Sequence, residues 1–231
     1  KNSSMTMDSN NEKVDLRAPV FVSDTLQTLD KANHIYPPEY ENHFDSLLLS
    51  TKEIRSRIVQ LAELLHEDYV GKRPVLICTL KGACPFFQHL CDALQDLRQG
   101  YDLEFVRVSS YDGTSSTGNV KIMGELQLDT LKGRHVVVME DIIDTGTTLA
   151  SIMPILEKEA QPASLQVCSL LDKRLGESHT KKFFAKYIGF SIPDHFIIGY
   201  GLDYNELYRD LKDIFVISKA GIAFDPTKLH V

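Results

Sequence analysis

The clearest periodic signal in the chain begins at Ser50. Ser50-Thr51-Lys52-Glu53 has the Ser-x-x-Glu form of a capping box, and Ile54, Ile58, Leu61, Ala62 and Leu65 then fall on one helical face until Gly71 stops the run. The spacing predicts an amphipathic helix. Beyond it the period changes. Val75 to Cys78 is a short continuous apolar run that reads as a buried strand, followed by the loop Leu80-Lys81-Gly82 and a helix carrying Phe87, Leu90, Cys91 and Leu94. The same layout returns at Val136 to Met139, the polar stretch Glu140 to Gly146, and a helix from Thr147 onward that Pro154 should kink or shorten. Further strands are expected at Phe105 to Val108, Leu165 to Leu171, Phe196 to Tyr200 and Ile214 to Ile217. Several are apolar on both faces, as strands covered by helices must be, so the pattern predicts an α/β fold with a mostly parallel sheet.

Two segments break this rhythm. The chain opens on a Ser/Asn-rich stretch, and residues 1–34 are expected to be mobile, leaving one domain over 35–231. Ser109 to Gly118 is polar, with Tyr111 its only large side chain, and a long polar insertion between sheet strands is more often functional than structural. Val120 to Leu128 then reads as a β-hairpin turning near Gly124.

Composition narrows the class. With 43% hydrophobic residues, a chain of 231 residues has the material for a core without disulfide or metal staples. The 32 acidic and 25 basic side chains leave a net charge of −7, which argues against nucleic-acid or membrane-surface binding as the main task. An anionic ligand must therefore be held locally. No stretch approaches the apolar length of a membrane span, and Cys78, Cys84, Cys91 and Cys168 form no C-x-x-C pair, so a soluble, cytoplasmic protein with free thiols is expected. The His residues lack zinc-ligand spacing.

The most specific run is Val136-Val137-Val138-Met139-Glu140-Asp141-Ile142-Ile143-Asp144-Thr145-Gly146-Thr147-Thr148. A buried strand delivers paired carboxylates to its C-terminal end, where open α/β sheets bind ligands, and a hydroxyl-rich turn with one Gly opens a helix. Backbone N–H groups of Thr145 to Thr148 and the positive end of the helix dipole can cradle a phosphate, while Glu140 and Asp141 can accept from vicinal ribose hydroxyls. Together they suit a sugar phosphate. An acidic loop capped by Ser/Thr residues would explain the threonines but not three acids clustered beside an apolar strand.

This run resembles the phosphoribosyl-pyrophosphate (PRPP) motif of the type I phosphoribosyltransferases. Leu80-Lys81-Gly82 with Phe86-Phe87, Ser110-Tyr111 with Ser116-Thr117-Gly118, Asp172-Lys173-Arg174, and Ile192-Pro193-Asp194 through Gly199 to Asp210 are similar to the hypoxanthine-guanine phosphoribosyltransferase family. The resemblance implies the type I phosphoribosyltransferase fold, with a small hood built from the N- and C-terminal parts. It also implies purine salvage: hypoxanthine or guanine plus PRPP would give IMP or GMP and pyrophosphate, with Mg²⁺ as cofactor and a homodimer or homotetramer as the assembly. Asp144 would exchange a proton with purine N7. Thr145, Gly146, Thr147 and Thr148 would hold the 5′-phosphate, and Glu140 and Asp141 the ribose. Lys173 would donate to the 6-oxo group, Phe196 would stack on the ring, and the Ile197 backbone and Asp203 would complete the base site. Asp203, Glu140 and Asp141 are the implied metal ligands. Lys81, Gly82 and Arg209 would hold pyrophosphate beyond a cis Leu80–Lys81 bond, and Ser110 and Tyr111 would close over the site.

Three positions depart from the mammalian pattern: Ser109 and Thr147 stand where Lys is expected, and Glu177 near an expected basic residue. They bear on loop closure and pyrophosphate affinity rather than on base and ribose binding. Taken singly, Lys173 is by default a solvated strand-end residue, Phe196 a core aromatic, and Arg209 a surface ion-pair partner. A PRPP-sensing regulator would need a nucleic-acid surface, and the sequence carries no basic stripe for one. A transferase for another base is the remaining alternative.

Overall fold

The computed structural model describes residues 5–7, 13–110, 120–123, 126–176, 179–225 and 227. In chain order the strands are β1 (Met5–Met7), β2 (Lys13–Asp15), β3 (Val20–Phe21), β4 (Gln27–Thr28), β5 (Phe44–Leu49), β6 (Val75–Leu80), β7 (Asp102–Ser110), β8 (Val120–Met123), β9 (His135–Ile143), β10 (Ser164–Lys173), β11 (Tyr187–Ile192), β12 (Ile197–Ile198) and β13 (Ile214–Ile217). The helices are α1 (Thr51–Tyr69), α2 (Cys84–Asp96), α3 (Thr147–Ile155) and α4 (Lys219–Ile222). The main sheet has the order β3-β11-β10-β9-β6-β7-β8 and is parallel except for β8.

Strand alternation explains why the central strands hold consecutive apolar residues. Leu76, Cys78, Val137, Met139, Cys168 and Leu170 pack with Ile54, Ile58, Leu61, Phe86 and Leu90 of α1 and α2. The residues between them, Val75, Ile77, Val136, Val138 and Val167, join Leu149, Ile152 and Leu156 on the opposite face. Both faces are covered, and the polar side chains buried there, Thr79 and Ser169, donate to the Met139 and Leu171 carbonyls. The capping box at Ser50 is present in full: Ser50 Oγ accepts from Glu53 N–H, and the Glu53 carboxylate accepts from Ser50 N–H at 2.8 Å. Pro154 lies inside α3, which ends at Ile155 and passes directly into a π turn at Leu156–Ala160.

A second, antiparallel sheet, β12-β13-β5-β4, draws on both ends of the chain and has its own core of Phe44, Ile198, Tyr208, Leu211, Phe215 and Ile217. Thr51 N–H donates to Asp213 at 2.6 Å and ties this sheet to the start of α1.

Several expectations need correction. From Lys13 onward the N-terminal segment is built into the fold: Leu16 is buried, β3 pairs with β11, and β4 pairs with β5. The tie is a buried cation. Arg57 on α1 donates to the carbonyls of Leu16, Ala18, Ile188 and Gly189, partners that no hydrophobic pattern reveals. Of the hairpin expected at Val120 to Leu128, β8 pairs with β7 and Leu128–Leu131 is a 3-10 turn, while the turn near Gly124 lies outside the described residues. The strand expected from Phe196 to Tyr200 shrinks to β12, and β5 and β11 were not anticipated. Both carry a polar residue inside their apolar runs, Asp45 and Ser191, which hides them from a search for continuous apolar stretches.

Asp68 supplies a check on the N-terminal tie. It meets Arg17 at 3.0 Å, Lys186 at 2.8 Å and the Tyr187 hydroxyl at 2.7 Å. Burial opposes its ionisation, but these donors outweigh burial and hold the carboxyl below the ordinary range. A depressed acid stabilises the fold above its unfolded value of 3.8 and loses that contribution as pH falls through its folded value. Asp68→Asn should therefore lower unfolding free energy by about 1.5–3 kcal/mol at pH 7, the usual loss for hydrogen bonds to a charged group. In denaturant titrations the gap from the native chain should narrow as the buffer is taken well below pH 4.

Candidate functional site

The C-terminal ends of β6, β9 and β10 lie side by side, and the loops that follow them carry the residues singled out above. β6 ends in a cis Leu80–Lys81 peptide bond, as the family resemblance implies. Gly82 follows, where a Cβ would stand 1.7 Å from Asp141 Oδ2. Glycine is required here because the Asp141 carboxylate occupies the space of a side chain. Gly201 packs on the same turn, since its Cβ would meet the Gly82 carbonyl at 2.1 Å. Gly82→Ala forces one of these groups to move. Overpacking of about 1–3 kcal/mol corresponds to roughly 5- to 150-fold weaker PRPP binding. Titration calorimetry with PRPP checks this, with purine-nucleotide binding as the comparison.

Glu140 and Asp141 stand at the end of β9. Burial, then the neighbouring Asp141, pushes the Glu140 carboxyl well above the ordinary range, and burial raises Asp141 as well. Glu140 Oε2 is shut off from solvent and has no hydrogen-bond partner among the described residues. Two adjacent enclosed carboxyls oppose one another's ionisation, and a ligand that donates hydrogen bonds would relieve them.

The turn into α3 has the form of an anion cradle. Gly146 takes a left-handed φ of 75° at the N-cap and has no side chain to cap the helix; the Thr147 N–H donates weakly to Thr145 Oγ1 at 3.4 Å, and the N–H groups of Thr148 and Leu149 are left for a ligand. A hollow of about 100 Å³ lies there, lined by Glu140 and Ile142 to Leu149. The Thr145 and Thr147 hydroxyls are 2.9 Å apart. Two residues that sequence reasoning missed hold this turn: Lys182 N–H donates to the Thr145 carbonyl at 2.8 Å, and Phe183 packs so closely on Gly146 that a Cβ there would lie 2.8 Å from it.

Lys173 ends β10 with its side chain only 9% exposed, so it is not a solvated boundary residue. Its ammonium lies 3.2 Å from Asp144 Oδ2, 3.4 Å from Asp194 Oδ1 and 5.8 Å from the Phe196 ring centroid. Phe196 is 70% exposed, an aromatic face open to solvent rather than a core residue. Ile197 follows it in β12, paired with Val216. Lys181 was also missed: its ammonium donates to the Lys173 carbonyl at 2.9 Å and to Asp172 at 2.6 Å. A 3.2 Å contact thus joins the turn into α3 to Lys173 across 29 residues of sequence.

On the other side of the cradle, Lys81 pairs with Glu206 at 2.7 Å, and Arg209 with Asp203 at 2.7 Å and Glu206 at 3.4 Å. Arg209 also donates to the Gly201 carbonyl, and its Nε is buried without a partner among the described residues. Among the described residues no three His, Cys, Asp or Glu side chains stand together as a metal-binding group, so Glu140, Asp141 and Asp203 are not gathered into one cluster. Asp203 is turned toward Arg209, while Asp141 is packed on Gly82. Ser109 and Ser110 lie in β7, paired with Lys121 and Val120, whereas Tyr111 and Glu177 fall outside the described residues.

Comparison with known proteins agrees with this geometry. The phosphoribosyl transferase domain pattern matches residues 47–205. Hypoxanthine-guanine phosphoribosyltransferases of Bos taurus and Homo sapiens are each 36% identical over 214 residues, covering 90% of this chain and 97% of theirs. Hypoxanthine phosphoribosyltransferase of Trypanosoma cruzi, solved in complex with the product IMP, superposes with a TM-score of 0.71 at 39% identity, covering 79% of this chain and 98% of that one. The Staphylococcus aureus enzyme gives a TM-score of 0.72 at 35% identity, over 83% of this chain and 100% of that one. From its parallel sheet to the turn into α3, the chain belongs to the phosphoribosyl transferase domain family.

Proposed function

We propose that the chain transfers the phosphoribosyl group of PRPP to hypoxanthine or guanine, yielding IMP or GMP and pyrophosphate. One observation carries this reading: the buried Lys173 ammonium lies beside Asp144, between an open phosphate turn and an exposed aromatic face. Lys173 can only donate, which matches the 6-oxo acceptor shared by the two purines. Phe196 offers a stacking surface, and the N–H groups of the α3 turn take the 5′-phosphate.

Cleavage of the bond from C1 to pyrophosphate builds positive charge on the ribose and negative charge on the leaving group. Lys81 and Arg209 stand ready for the leaving group, and Glu140 and Asp141 lie close to the ribose position, where they orient its hydroxyls. Asp144 takes the N7 proton as the base attacks. Exclusion of water at this stage protects the ribosyl cation from hydrolysis, a task for the segment after Ser110.

The donor set fits Mg²⁺. Carboxylate oxygens are hard ligands, and Mg²⁺ is characteristically held by one or two of them with substrate phosphates and waters rather than by a closed protein cage. The orphaned Glu140 oxygen and the exposed edge of Asp203 supply such partial sites. Mg²⁺ bound there with PRPP would neutralise charge on the leaving pyrophosphate.

A cytoplasmic homodimer or homotetramer completes the proposal. The free thiols of buried Cys78, Cys91 and Cys168 suit a reducing compartment, and no helix among the described residues is long and apolar enough to cross a membrane. The deciding experiment is nucleotide formation from each purine with PRPP and Mg²⁺. IMP and GMP should form and AMP should not, and failure to form either 6-oxo nucleotide would overturn the reading.

A further inference from the structure

The turn Tyr204-Asn205-Glu206-Leu207 is closed by two backbone hydrogen bonds between Tyr204 and Leu207, and both central residues have positive φ, 53° at Asn205 and 65° at Glu206. This is the backbone of a type I′ turn, whose second central position favours Gly. A Glu there is out of place on backbone grounds. An outlier of this kind directs attention to what the side chain does. Its carboxylate bridges the two cations assigned to the leaving group, with one oxygen 2.7 Å from Lys81 Nζ and the other 3.4 Å from Arg209 Nη2. The Glu206 N–H donates to Asp203 Oδ2 at 2.9 Å, so the turn is also anchored to the other partner of Arg209.

We propose that Glu206 is a resident stand-in for pyrophosphate: its carboxylate occupies the anion site between Lys81 and Arg209 in the free enzyme and is displaced when PRPP or pyrophosphate binds. The inference rests on the pyrophosphate role of Lys81 and Arg209. Two effects follow. While the site is free, the two cations are held in place with their charge balanced. When pyrophosphate leaves, a carboxylate on the same chain replaces it, which favours release. Glu206 is 62% exposed and needs only side-chain rotation to withdraw. The intramolecular carboxylate weakens pyrophosphate binding in proportion to how fully it occupies the site, and removing it also takes a like charge away from a polyanion.

The test compares Glu206→Gln and Glu206→Asn with the native chain. Asn tolerates the left-handed backbone, so at least one uncharged variant keeps the turn. In both, the product-inhibition constant for pyrophosphate should fall by roughly 3- to 30-fold, the range for removal of one or two partly exposed ion pairs and a like charge. Pyrophosphate dissociation, followed by stopped flow, should slow by a similar factor. The dissociation constant of IMP alone should stay unchanged, which a general loss of structure would not allow. The tightening should shrink at high ionic strength. Unchanged or weaker pyrophosphate inhibition in both variants, with IMP binding intact, overturns the role of Glu206. A native enzyme that turns over but is not inhibited by pyrophosphate would overturn the subsite itself.

Discussion

Asp144→Asn is expected to lower the rate of nucleotide formation by about 10²- to 10⁴-fold, the range for loss of a positioned acid or base. The substitution keeps shape and one acceptor oxygen. The amide oxygen of the variant can still accept from the Lys173 ammonium, which lies 3.2 Å from Asp144 Oδ2 in the native chain, so the base-site lysine keeps a partner. PRPP binding should change little, because the phosphate site proposed here is built on backbone N–H groups at the start of α3 rather than on this carboxylate. Asp144 is 54% exposed, which leaves its carboxylate accessible to an incoming purine. Product release limits many transferases, and steady-state rates then understate a loss at the chemical step. Single-turnover rates with saturating PRPP, Mg²⁺ and hypoxanthine are therefore the measurement. A single-turnover rate equal to that of the native chain would exclude proton transfer by Asp144.

The second large effect is selectivity against adenine. A buried ammonium facing the 6-position donates to an oxo group but leaves the 6-amino group of adenine donor against donor, and well-built sites discriminate by up to about 10⁴–10⁵ on such a mismatch. Stacking on Phe196 does not distinguish one purine from another. The ammonium is held by Asp144 and Asp194, so it cannot swing aside for adenine without breaking ion pairs. Lys173→Gln should weaken kcat/KM for hypoxanthine and guanine by roughly 10- to 150-fold, the value of one charged hydrogen bond, and narrow the gap to adenine. The substitution also removes the cation beside Asp144. Because that loss is common to all bases, the hypoxanthine-to-adenine ratio within the variant is the quantity to measure. An unchanged ratio, or efficient adenine turnover by the native chain, would refute the role of Lys173 while leaving the PRPP site untouched.

Helices and strands set by near neighbours were legible in the chain itself. The capping box at Ser50, the face from Ile54 to Leu65, the two-sided strands β6, β9 and β10, and the turn at Gly146 depend on residues a few positions apart, and periodicity reports such contacts directly. The PRPP-like run was legible for the same reason, since strand, acids, turn and helix start are contiguous. Tertiary closure alone decided the rest. Arg57 reaches the carbonyls of Leu16 and Gly189, Phe183 closes on Gly146, and Glu206 reaches Lys81. None of these pairs has a characteristic spacing or residue type, because a backbone carbonyl is present at every position and an exposed carboxylate is ordinarily solvated. Their partners are chosen only when distant segments are brought within hydrogen-bonding distance by the packing of the two sheets, which is why the sequence carried the chemistry of the site but not the contacts that hold it.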